Sequence, residues 1–285
     1  MKSLNSKFKL YLVILEACLE TIREFHHSQY ANDIKSYQTI ILSRIVKSLG
    51  TIIQILEASK DPISGYCLLR TIADSVCTYC FIYENDNNKE VELRHYLYLL
   101  DGCSQFVNAF SSVLNNGKLK EEIEKDNNQI ADQEKTDLID FQKELMIYLN
   151  NTHFVLTSPK ETKAIIDNRD WKYRSITSYS KNKSYSWRDI YEKTGCDDSL
   201  INFLSVILSQ YVHGLFLSNT RNHDGNIHYL LILSNAITLE RRLITAIFNC
   251  FREDNLIQSI LKHIDLNRFR DLNIDSSSIL SLIKI

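Results

Sequence analysis

Glycine and proline are scarce: 7 Gly and 2 Pro are spread over 285 residues. These are the residues that break helices and set turns, so the chain has few points at which it is forced to change direction. Long helices are the natural outcome, and the apolar residues repeat with the matching period. From Phe8 to about Phe25 they fall at Leu12, Leu15, Leu19 and Ile22, spacings of three and four that gather on one helical face. A second run, Ile34 to about Ala58, repeats this with Ile41, Ile45, Leu49, Ile52 and Leu56; Asp33 is its expected N-cap and Asp61-Pro62 its stop. The run from about Ile63 to Tyr83 is apolar nearly all round, which predicts a central buried helix.

The pattern continues from about Glu90 to Leu114, where Asn115-Asn116-Gly117 predicts a stop. Residues 118–137 are rich in Lys, Glu and Asp and read as a polar helical insertion or mobile arm. Periodicity returns over Leu138 to Leu149 and lapses over 150–186, which reads as one long irregular connection, basic and aromatic. Two short helices bracket Gly195, the second from Asp198 to about Phe216. A long one is expected from Ile227 to Phe251, and shorter ones over Asn255 to Ile264 and Ser276 to Ile283. The predicted fold class is all-α: one domain, 1–285, built as a bundle of long amphipathic helices.

Hydrophobic residues at 44% and charged residues at 24% are ordinary for a globular protein, and a net charge of -2 argues against a general nucleic-acid coat. The N-terminus runs straight into an amphipathic pattern without a signal-peptide core, and no stretch approaches the roughly 18 uncharged apolar residues of a membrane span. A cytoplasmic protein with no membrane association is expected. The 7 cysteines sit mostly in apolar runs and read as reduced core thiols. Cys77 and Cys80 form a C-x-x-C with no second pair at zinc spacing, so neither a metal site nor a cofactor is expected. Gly-rich phosphate loops, H-E-x-x-H and G-x-S-x-G are absent from the sequence.

Three polar constellations stand out. Arg70 and Asp74 lie four apart within LLRTIADSV and share a helix face; Ser209 and His213 do the same within LSQYVHGLF. If the two helices pack, the four side chains form one neighbourhood, with His213 held by Asp74 or Ser209. It is either a satisfied buried network that fixes helix register or a ligand-binding site. The second constellation is RNHDGNIH, where Arg221 and His228 are separated by six residues, nearly two helical turns, although Asp224-Gly225 reads as a turn between them. The third is the segment Lys160 to Arg188, with eight Lys or Arg against three acids and with Trp171, Tyr173, Tyr179, Tyr185 and Trp187 interleaved. Trp171, Lys172 and Arg174 there would suit a single-stranded RNA backbone and its bases, unless the aromatics plug into the helical core and leave the charges wet.

The Arg-Thr-Ile-Ala-Asp of 70–74, Trp171, and Tyr211-Val212-His213-Gly214 resemble an uncharacterised bacterial family of helical proteins. Its members show Arg-Ser/Thr-x-x-Glu early and Ser-x-Tyr-Val-His late; Asp74 stands here where a Glu is usual, and the likeness covers about residues 38 to 216. Separately, Arg221, Asn222 and His228 are similar to the signature of HEPN ribonucleases, an Arg and a His with four to six residues between them. That resemblance implies a metal-independent RNA endonuclease, in a toxin or phage-defence setting, in which Arg221 binds the scissile phosphate and His228 is general acid or base. It also implies RNA as partner and a homodimer that assembles the composite site. The alternative is a non-catalytic helical sensor or scaffold that binds a protein partner or small ligand at the Arg70/His213 cluster.

Overall fold

Helix initiation follows the polar residues at the ends of the apolar runs. Of the 285 residues, the computed structural model describes 2–114, 117–179, 183–213 and 226–252, with backbone alone at 2, 113–114 and 117–132. The predicted helices over Asn255 to Ile264 and Ser276 to Ile283 lie outside the described residues. Everything regular that is described is helical, and the nearest approach to a strand among the described residues is one isolated bridge between Tyr173 and Ser184. The chain is an all-α helical bundle.

Two compact units are formed, one from Met1–Glu84 with Trp187–Ile285 and one from Asn85–Ser186. The first holds α1 (Lys2–Phe25), α2 (Ile34–Gln54) with a π-helical extension (Ile55–Ser59), and α3 (Pro62–Tyr83). It continues with α8 (Trp187–Lys193), α9 (Asp198–Asn202), a second π segment (Phe203–Leu208), α10 (Ser209–Val212) and α11 (Asn226–Cys250). Asp33 caps α2 as expected, its carboxylate accepting from the Ser36 amide at 3.1 Å. Asp61-Pro62 does something different from the expected stop: Asp61 accepts from the Ile63 and Ser64 amides and Pro62 takes the first helical position, so the pair starts α3. The preceding stretch is ended instead by Lys60, in the left-handed region at φ 51°.

α3 is the central helix of this unit, packed by α2, α8, α10 and α11, while α1 lies against α2 and α11. Leu69, Ile72, Ala73, Val76, Tyr79 and Ile82 of α3 are buried, as its all-round apolar sequence predicts. By length and composition alone, Ile34–Ser59 is apolar enough to cross a membrane. Here its Leu42, Ile45, Leu49 and Ile52 sit in the core against α1 and α3.

The second unit holds α4 (Asn88–Leu114), α5 (Gly117–Asn150), α6 (His153–Thr157) and α7 (Pro159–Asp167). The polar 118–137 stretch is helical, and it runs with the periodic Leu138 to Leu149 as one continuous α5, because charge without breakers leaves a helix intact. One expectation is corrected. The expected irregular connection over 150–186 contains two short helices, α6 and α7, as far as Asp167; Pro159 occupies the first turn of α7, where its missing N–H costs nothing.

One buried acid stands apart. Glu240 on α11 is fully buried, and neither of its carboxylate oxygens has a hydrogen-bond partner among the described residues. Burial holds its carboxyl well above the ordinary range, so the folded protein binds this proton more tightly than the unfolded chain does. Stability should therefore fall as pH rises from about 4.3, the unfolded glutamate value, towards the raised folded value. Glu240→Leu is expected to melt above wild type at pH 8 with the difference vanishing near pH 4, measured by thermal denaturation across pH.

Candidate functional site

One face of α3 organises the polar chemistry of the first unit. Tyr66, Arg70, Asp74 and Cys77 follow one another at spacings of four, four and three, so they line a single stripe. Asp74 is bracketed: Arg70 Nε donates to its Oδ2 at 3.1 Å, and the Tyr191 hydroxyl of α8 donates to its Oδ1. Burial and then the Asp74 carboxylate push the Tyr191 phenol far up, which keeps its proton in place as a donor. Arg70 Nη1 donates to the Leu204 carbonyl, and its guanidinium lies 5.4 Å from the Tyr191 ring centre. Leu204 belongs to the π segment, whose wider turn directs that carbonyl towards the arginine.

Arg70 and Asp74 are thus brought together, while Ser209 and His213 contribute differently from the expectation. Ser209 is half-buried, and its carbonyl accepts from the His213 amide at 3.2 Å, which closes α10. His213 itself is exposed, and Asp74 is held by Arg70 and Tyr191 instead. The residue of that motif that turns inward is Tyr211, whose ring lies 4.4 Å from that of Tyr66. Facing i and i+4 residues were legible in the sequence; Tyr191, supplied by a separate short helix, carried no signal linking it to Asp74.

At the head of the stripe, His228 sits half-buried in the first turn of α11 with Nδ1 2.8 Å from the Tyr66 hydroxyl. The rings meet edge to face at 5.7 Å. Burial, then the neighbouring Tyr211, raises the Tyr66 phenol well above its ordinary value, so the hydroxyl keeps its proton beside Nδ1. Gly65 permits this approach of α3 and α11: a Cβ there would stand 2.9 Å from Ile232 Cδ1. Arg221 lies outside the described residues. On the neighbouring face of α11, Asn226, Tyr229 and Leu233 help enclose a cavity of about 570 Å³ with Ile53, Leu56 and Lys60.

The basic aromatic segment as far as Ser186 belongs to the second unit, and Trp171, Tyr173 and Tyr179 turn their rings inward. Arg94 of α4, only 3% exposed, donates from Nη1 to the Trp171 carbonyl at 2.7 Å and from Nη2 to the Tyr173 carbonyl at 2.9 Å. Glu90, one turn earlier, accepts from the same guanidinium at 2.7 Å, and the Tyr173 ring lies 4.1 Å below it. Trp171, Tyr173 and Tyr179 are buried, and Trp171 packs edge-on against Tyr98. Lys172 lies over the Trp171 ring, and Arg174 spans Tyr185 and the Ser184 carbonyl. Of the two readings of Trp171, a stacked base or a plug in the helical core, the buried ring fits the second: it gains more from the core than from water. Arg94 went unnoticed in the sequence, although Glu90 four residues before it was an available cue.

Among the described residues, no three His, Cys, Asp or Glu side chains converge as metal ligands would. The model of a family of unknown function, DUF5677, matches residues 35–227. That span takes in Arg70, Asp74, Ser209, His213 and Arg221 and stops one residue short of His228. No curated protein and no solved structure matches the chain.

The Arg70 and Asp74 side chains are 16% and 30% exposed, which places their pair between a surface and a buried ion pair. Asp74→Ala should cost about 2 kcal/mol, above the ~0–1 of exposed pairs and below the ~3–5 of fully buried ones. Tyr191→Phe should cost about 1 kcal/mol by removing one donor. Chemical denaturation of both variants measures these values; unchanged midpoints would show the bracket to be energetically idle.

Proposed function

The chain belongs to this family of unknown function, and we propose that it is a metal-independent RNA endonuclease whose proton-transfer group is His228. The observation that carries the reading is the Tyr66 hydroxyl on His228 Nδ1 at 2.8 Å, in the first helical turn after the Arg221 segment. A buried hydroxyl in contact with one ring nitrogen holds the imidazole in place, which is what a general acid or base requires of its support. The resemblance of Arg221-Asn222 and His228 to the HEPN signature adds the cation. In the proposed reaction the RNA 2'-hydroxyl attacks phosphorus, Arg221 stabilises the charge that develops on the phosphate, and the 5'-oxygen departs with a proton. His228 serves one of the two proton transfers, and a second copy of the chain across a two-fold axis supplies the other.

A second reading, a non-catalytic sensor or scaffold, is favoured by the cavity beside α11. Its volume suits a small ligand, whereas the Arg70/Asp74 pair is already occupied by Tyr191 and the Leu204 carbonyl.

Purified protein incubated with total RNA should yield 2',3'-cyclic phosphate ends, equally well in excess chelator. Arg221→Ala and His228→Ala should each lower the rate by about 10²-fold or more while the circular dichroism spectrum stays helical. Tyr66→Phe should cause a smaller loss and shift the pH profile of cleavage, because the ring loses its orienting hydroxyl. Wild-type protein that cuts no RNA, or a His228→Ala variant as fast as wild type, would overturn the endonuclease in favour of the ligand-binding reading.

A further inference from the structure

The tail of the α3 stripe carries chemistry that the proposed ribonuclease does not use. Cys77 Sγ lies 3.7 Å from Cys196 Sγ, across 119 residues of sequence. Cys77 is fully buried on α3, whereas Cys196 is half-exposed in the turn between α8 and α9, just after Gly195 at φ 81°. The two sulfurs are in contact but unbonded, and side-chain rotation must bring them from 3.7 Å to the roughly 2.05 Å of a disulfide. We propose that Cys77 and Cys196 form a peroxide-responsive thiol pair, with Cys196 as the attacking sulfur and Cys77 as the resolving one, independently of the ribonuclease reading.

The division of labour follows from their surroundings. The Cys196 thiol is held below its ordinary value, first by the Cys77 thiol that donates to it, against the opposing effect of its own burial. The Thr194 hydroxyl and the Arg242 guanidinium act in the same lowering direction, and the Asp197 carboxylate opposes them. Arg242 is itself fixed there, since its Nε donates to the Thr194 carbonyl and its Nη2 to Glu84. Cys77 is shifted the opposite way, so it keeps its proton until it is needed. Cys80 is fully buried and Cys250 largely so, and burial is the first cause of the upward shift of both thiols, which leaves Cys196 as the reactive member of the group.

In the first step the Cys196 thiolate attacks one oxygen of hydrogen peroxide. The O–O bond breaks, the departing hydroxide takes a proton, and water leaves behind a sulfenic acid on Cys196. In the second step the Cys77 sulfur attacks Cys196 sulfur, the S–O bond breaks, and the hydroxide departs as water with the Cys77 proton. Two thiols and one peroxide give one disulfide and two waters. The bond would tie α3 to the α8–α9 turn, beside the Tyr191 hydroxyl that donates to Asp74, and a small-molecule dithiol would reverse it.

The full chain, first reduced and then freed of reductant, is treated with hydrogen peroxide, alkylated and mapped by peptide mass spectrometry. The expected product is a peptide pair joined through Cys77 and Cys196, lighter by two hydrogens and separated by dithiothreitol; tandem fragmentation distinguishes Cys77 from Cys80. The linked protein should also melt above the reduced form, because a closed loop of this length limits the unfolded chain. Cys196→Ser, a change at a half-exposed site, should leave Cys77 fully open to alkylation on unfolding after the same treatment. Cys77→Ala should stop at a Cys196 sulfenic acid that dimedone traps; should that buried substitution prevent folding, the wild-type map and Cys196→Ser still decide. A wild-type map with Cys196 unmodified, with Cys196 oxidised but unlinked, or with the link made to another cysteine overturns the proposal.

Discussion

A helix that is buried nearly all round cannot carry charges unless each one meets a partner, and α3 carries Arg70 and Asp74 in the middle of its length. Leaving either without a partner costs more than an ordinary hydrogen bond contributes. The surrounding elements are positioned by that requirement. α8 delivers the Tyr191 hydroxyl to one carboxylate oxygen, the π segment delivers the Leu204 carbonyl to the guanidinium, and the two charges neutralise each other along the helix. The same logic runs at the C-terminal end of α3, where Glu84 receives Arg242 and Asn249 from α11. In the second unit, Arg94 plays the corresponding part by collecting Glu90 and the carbonyls of Trp171 and Tyr173.

Departures from regular helix occur where these contacts are made. Both π segments flank the α3 stripe: Ile55–Ser59 contributes to the cavity beside α11, and Phe203–Leu208 turns a carbonyl towards Arg70 and a ring towards Tyr66. A π turn inserts one residue into the helical register, so its cost must be met by what it allows to touch.

The amphipathic spacing of α1, α2, α3, α4 and α11 was readable because one residue in three or four had to be apolar for each helix to bury a face. The Arg70–Asp74 pair was readable for the same local reason. Other readings failed where a residue type has two uses. Asp61-Pro62 stops one helix and starts another, and the second use prevailed once Lys60 took the left-handed turn. Residues 150–186 lack an apolar period, yet Pro159 opens α7 within them.

The sequence by itself determined that the chain is helical, where most of the helices run and which pairs share a face, because these depend on residues within a few positions of one another. Tertiary structure alone decided that Tyr66 meets His228, that Tyr191 rather than His213 holds Asp74 and that Cys77 reaches Cys196. These pairings join residues far apart in the chain, and no local periodicity encodes them. They are fixed by how α3 packs against α8, α10 and α11, which depends on the summed fit of apolar faces and on the need to satisfy every buried polar group.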